Sequence, residues 1–165
     1  MFGKDLASPQ GGNLAVLTAR VDGQRVAFPL RHVHEVLPAA ETTRLAHAPA
    51  VVRGVLNLRG EPLPVLDLRT RLGLPGRDAE PDDHVLVCRV RDRRVGVWVD
   101  RAQDVDTLCG SSLAPLPADS PTRHLAGVAL LDDGLLLVSD VDSFLSADEV
   151  VGLDAALADR DAADA

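Results

Sequence analysis

Side chains able to do chemistry are few in this chain and poorly grouped. His32 and His34 are spaced i, i+2 and would share a face if extended, but His47, His84 and His124 are scattered and complete no ligand set. Asp82-Asp83, Asp132-Asp133 and Asp140/Asp142 are paired acids. Most read as turns and solvated faces, because a catalytic dyad needs a pocket and none is announced. Asp67 and Asp140 read as structural turns or caps. Gly110-Ser111-Ser112 is a plain loop, and no G-x-S-x-G, Walker A or H-E-x-x-H pattern occurs. Cys88, in VLVCRV, reads as a core residue and Cys109 as a loop residue, both reduced. The expectation is a non-enzyme with no metal and no cofactor. A small-barrel ligand-binding domain is the alternative that the paired acids leave open.

The more informative side chain is a guanidinium. Residues 54–73 read GVLNLRGEPLPVLDLRTRLG, two strand-like runs interrupted by Arg59, Gly60, Glu61, Pro62 and Pro64. Gly60 can take a positive φ and make a turn. The prolines lack a ladder donor, so the segment reads as a guarded edge. Arg59 then sits at the tip. It either pairs with a neighbour such as Glu61 or Asp67 or anchors an interface, a role in which arginine is enriched.

Composition narrows the partner class. A net charge of −8, three Phe, one Trp and no Tyr argue against nucleic acid, which wants a basic face and stacking rings. No run approaches the roughly 20 apolar residues of a membrane span. The start, MFGKDLASPQGGN, lacks the apolar core of a secretory signal, so a cytoplasmic location is expected.

The elements that must position Arg59 are strands. LAVLTARV (14–21) and QRVAFPL (24–30) flank Asp22-Gly23 as a hairpin; HVLVCRV (84–90) and RRVGVWV (93–99) flank Arg91-Asp92 as another. Gly127–Leu131 and Leu135–Val138 flank Asp132-Asp133-Gly134. Residues 74–83 and 110–123 read as loops, with a turn near RHVHEV. Ser146 and Glu149 have capping-box spacing, and Val150, Leu153 and Leu157 give a C-terminal helix its apolar stripe.

A repeat organises these elements. Residues 54–72 lie on 127–145 at an offset of 73, matching Gly54/Gly127, Leu58/Leu131, Val65/Val138 and Asp67/Asp140; residues 16–36 lie on 85–105 at an offset of 69. The near-equal offsets predict a duplication, with a first repeat at about 16–72 and a second at about 85–145. Each half has about five short strands, enough for a small closed barrel. The whole reads as one all-β domain over 14–158, with 1–13 and 159–165 as flexible ends.

The same segment, GVLNLRGEPLPVLDLR, resembles the G-V-x-N-L-R-G-x-x-x-P-V-x-D-L-R signature of the CheW-like coupling proteins of bacterial chemotaxis. The likeness spans about 14–158 and takes in Val33-His34-Glu35-Val36, the R-x-A-x-x-P of Arg44–Pro49, VGVWVD and GLLLVSDVDSFLSADE. It implies two SH3-like five-stranded barrels around a shared core. It also implies a non-catalytic adaptor, recruited to membrane receptor arrays, that joins a chemoreceptor's cytoplasmic tip to the regulatory domain of the histidine kinase CheA. By motif match Arg59 falls on the arginine needed for signalling assembly, and Gly54, Val33 and Glu35 on coupling positions. Leu30, Val33 and Val99 would line an apolar groove for a receptor helix. Pro62, Pro64, His32 and His34 depart from the commoner pattern and leave the receptor family open. The kinase's own regulatory domain is a rival assignment, and a start at Met1 without a kinase core favours the free adaptor. The same adaptor role in a non-flagellar chemosensory pathway is the alternative.

Overall fold

The computed structural model describes residues 12–116 and 124–164. Eleven strands form among them: β1 (Asn13–Val21), β2 (Gln24–Pro29), β3 (Val33–Pro38), β4 (Val52–Leu58), β5 (Glu61–Asp67), β6 (His84–Val90), β7 (Arg93–Val99), β8 (Arg101–Cys109), β9 (Leu113–Pro115), β10 (Leu125–Leu131) and β11 (Gly134–Ser139). Two helices accompany them, α1 (Leu68–Arg71) and α2 (Ala147–Asp164). Neither is long and apolar enough to cross a membrane.

The hairpins turn where the sequence places them, and their backbones say why. Asp22 and Gly23 have φ of +52° and +76°, Arg91 and Asp92 +48° and +63°. Two successive left-handed residues twist a two-residue turn in the same sense as its strands. The capping box also forms: Ser146 Oγ accepts from the Glu149 N–H at 3.1 Å, while a Glu149 oxygen accepts from the Ser146 N–H at 2.9 Å. Helix α2 runs through Asp164 and so takes in residues 159–164 of the end expected to be flexible. Of the ends expected to be flexible, residues 1–11 and 165 lie outside the described residues, as do 117–123 of the expected 110–123 loop.

The expectation of two closed five-stranded barrels is wrong. The strands form two open sheets, ordered β8-β1-β2-β11-β10-β9 and β3-β6-β7-β5-β4. Neither repeat closes on itself, because each sheet takes strands from both. Hairpin β1–β2 joins β10–β11 through the parallel pair β2·β11, and β4–β5 joins β6–β7 through the parallel pair β5·β7. Even the registers correspond: Ala27 faces Val138, and Gly96 faces Val65. The backbone edge of β4 that closure would need is occupied from the connector before it. Thr43 and Val55 exchange hydrogen bonds of 2.8 and 2.9 Å there.

Each sheet nevertheless curls around its own small apolar cluster. One holds Val16, Ala27, Leu108, Ala129, Leu136 and Val138; the other holds Leu56, Leu63, Val65, Val85, Val87 and Trp98. A larger cluster lies between the sheets, with Phe28 set edge-on to Phe144 at 6.4 Å and Leu66, Leu86, Val97 and Leu153 around them. Burial of this apolar area is the main force holding the sheets together.

One segment differs from its expected form, and one strand was not expected at all. Strand β5 is paired on both sides at Val65 and Leu66, and only its Glu61–Pro64 portion behaves as an edge. Pairing with β4 runs through both prolines, Pro62 opposite Asn57 and Pro64 opposite Val55. That is possible only where the missing N–H would point away from β4. Strand β8, in turn, is almost wholly exposed. Its sequence RAQDVDTLC lacks the alternation that marks a half-buried strand.

Candidate functional site

The turn joining β4 to β5 presents Arg59. Arg59 and Gly60 have φ of +52° and +86°, and the Asn57 side-chain oxygen accepts the Gly60 N–H at 2.8 Å. This local bond holds the tip in shape. An added Cβ at Gly60 would meet nothing, so the glycine is there for its φ alone.

Arg59 pairs with neither Glu61 nor Asp67. Its two terminal nitrogens donate to the two oxygens of Glu35, at 3.0 and 2.9 Å. Glu61 pairs instead with Arg94 at 2.8 Å, and Asp67 lies 3.5 Å from Arg53 while capping α1 through the Arg69 N–H. The fork-to-fork geometry is the strong form of an arginine–carboxylate contact. It holds the Glu35 carboxyl below the usual carboxylate range and raises the guanidinium above its own. The pair is still open to solvent, with 67% of the Arg59 side chain exposed.

Glu35 reaches Arg59 from β3, an edge strand whose burial alternates along VHEVLP. Val33 precedes it, and Leu30 lies in the 3-10 turn Leu30–His32; both are half-buried against the inter-sheet cluster. Val99 belongs to that same cluster but is fully buried, so it offers no surface to a groove. It can act there only as backing for Leu30 and Val33. Gly54 is also buried, and its role is visible in the backbone. A Cβ there would lie 2.7 Å from the Thr43 carbonyl oxygen, so the glycine lets residues 42–43 close against β4. Gly127 does the same beneath Ala114, at 2.8 Å.

The two histidines do not share a face. His32 sits half-buried in the 3-10 turn, its pKa lowered chiefly by desolvation and by Arg31, while His34 is exposed on β3. Among the described residues no group of three His, Cys, Asp or Glu could hold a metal ion. Burial pushes the Cys88 thiol up to about 12; Cys109 is exposed and accompanied by Ser111.

Sequence reasoning missed an ionic network on the other flank of α1. Arg69, only 7% exposed, donates to Asp100 at 2.6 and 3.2 Å and lies 3.3 Å from Asp22. Arg77 joins Asp100 at 3.1 Å to Asp83 at 2.7 Å, and Asp83 accepts from the Trp98 indole N–H at 3.0 Å. Asp83 is 1% exposed, so this acid is no solvated turn residue. The network ties the β1–β2 turn of one sheet to the end of β7 in the other. Only Trp98, a lone ring next to an acid-rich stretch, hints at it in sequence.

Comparison with known proteins fits this geometry. The CheW-like domain model matches residues 15–149. The chemotaxis protein CheW of Klebsiella aerogenes is 31% identical over 125 residues, 74% of this chain and 75% of its own. That of Rhizobium meliloti is 29% identical over 141 residues, 84% of this chain and 91% of its own. The crystal structure of the scaffolding protein TtCheW from Thermoanaerobacter tengcongensis superposes with a TM-score of 0.76 at 22% identity, covering 84% of this chain and 96% of that one. The matched span and the 31% identical relative together make this chain a member of the CheW-like family.

Proposed function

We propose that this chain joins a chemoreceptor's cytoplasmic tip to the regulatory domain of the kinase CheA, and that Arg59 and Glu35 form part of the contact. A non-catalytic adaptor role in chemotaxis signalling comes with membership of the family. The partners and the contact residues are the finer reading. One observation carries it: an intact bidentate ion pair, left exposed where two edge strands meet, with Leu30 and Val33 half-buried along the turn and strand that lead to Glu35. An exposed pair contributes little to folding, so its ordered geometry suits recognition better than stability. Arginine recognises a carboxylate in a fixed plane, and a partner can exchange one acid for another without reshaping the site. Gly54 supports the tip by letting the connector close on β4.

Co-purification of Arg59→Ala with a cognate kinase and receptor signalling domain, followed by a kinase assay, tests the reading. The expected result is a folded protein that no longer brings the kinase under receptor control. Unaltered coupling in that variant would overturn it.

A further inference from the structure

A second surface lies at the other end of β4 from Arg59, and it stands apart from the reading above. The connector between β3 and β4 is pinned at Thr43 by its bridge to Val55, at Leu45 by burial, and at Pro49 by a 2.9 Å bond from the Val52 N–H. Between those anchors Arg44 and His47 are exposed. His47 has a φ of +63°, a left-handed conformation that is uncommon for a residue other than glycine. The connector and the start of β4 enclose an open groove of about 710 Å³.

Its chemistry runs against that of the molecule. The chain carries 25 Asp and Glu against 17 Lys and Arg, yet the groove is lined by Arg44, His47 and Arg53 with no carboxylate among its residues. Arg44 makes no hydrogen bond or ion pair with any described residue. Arg53 lies over the Trp98 ring at 4.0 Å and is paired with Asp67 at 3.5 Å, with 19% of its side chain exposed, so it lines the groove beside the freer Arg44. Ala46, Ala48 and Pro49 supply small apolar surface between the cations.

We propose that this groove docks a segment of a partner protein that carries carboxylates among small apolar side chains, held by Arg44 and Arg53. An open trough suits a chain segment, whereas small ligands are bound in cavities that enclose most of their surface. The net charge of −8 repels acidic segments elsewhere, so a local cationic groove fixes where such a segment can land.

The test uses the full chain and a short synthetic peptide alternating Glu and Ala, with its Gln counterpart and inorganic phosphate as comparisons. Amide shifts of residues 42–53 and the emission of Trp98, the only tryptophan, report on the groove. The Glu peptide should bind saturably there and the Gln peptide should not. Arg44→Glu should weaken binding about tenfold with an unchanged unfolding midpoint, and Arg101→Glu, which reverses an exposed charge on β8, by less than about twofold. Absence of a saturable shift at 42–53, equal losses in the two variants, or phosphate binding as well as the peptide would each overturn the proposal. Self-association abolished by Asp159→Asn and Asp161→Asn, exposed acids among the alanines of α2, would also overturn it, by giving the groove to a second copy.

Discussion

Arg59 and Glu35 join, side chain to side chain, the first and last strands of a sheet whose backbone is open. β3 and β4 are the two ends of the order β3-β6-β7-β5-β4, and no backbone hydrogen bond pairs them. The sheet curls around Leu56, Leu63, Val65, Val85, Val87 and Trp98 until the tip of β4 meets β3. The ion pair is therefore a seam that can open without unpairing a strand.

Arg59→Lys should couple receptor to kinase more weakly than wild type, because an ammonium cannot match both oxygens of Glu35. Glu35→Gln should do likewise, and neither should move the unfolding midpoint appreciably, since Arg59 is solvent-exposed and Glu35 is only half-buried. The lowered Glu35 carboxyl sets the pH sense. The pair is fully formed above the ordinary carboxylate range and is lost as pH falls through the depressed value. A pull-down titrated from neutral to acid pH, beside the unfolding curves, checks this.

Gly54→Ala should destabilise by about 1–3 kcal/mol, the usual range for a side chain forced into a filled space. The new Cβ would sit 2.7 Å from a carbonyl oxygen, and the connector carrying Thr43 must retreat. Gly127→Ala should behave alike, with 2.8 Å to the Ala114 oxygen. Urea unfolding measures both. Coupling lost in Gly54→Ala in proportion to stability would mark the glycine as support for the tip.

Arg69→Met should cost about 3 kcal/mol, because it leaves Asp100 and Asp22 short of their shared cation in a nearly buried place. Arg77, at 3.1 Å from Asp100, softens the loss. Chemical denaturation of the variant beside an Arg69→Met, Asp100→Asn double variant checks it. The second change should recover part of the stability.

Helix α2 should loosen in acid. Two bonds from Arg71, at 2.7 and 2.8 Å, together with the capping box, pull the Glu149 carboxyl down from 4.5 to about 2. A depressed carboxylate stabilises the fold above its ordinary pKa and ceases to do so as pH falls through the lowered one. Glu149→Gln should thus be less stable than wild type at neutral pH, and the two stability curves should converge between about pH 4.5 and 2. Unfolding midpoints followed across that window decide it.

The sequence by itself determined whatever depends on neighbours a few residues apart. The Asp22-Gly23 and Arg91-Asp92 turns, the Ser146–Glu149 box and the left-handed tip at Gly60 are all of that kind. It also singled out Arg59 and Glu35, each from its own motif. What it could not supply was their partnership, because 24 residues and two sheet ends separate them. Tertiary structure alone decided that the repeats trade hairpins, that β8 and β9 are strands, and that Arg69 and Asp83 are drawn inside. Turns and caps are settled by hydrogen bonds within one local stretch. Strand order and buried charge are settled by which distant surfaces can exclude water together, and no short window of sequence contains that sum.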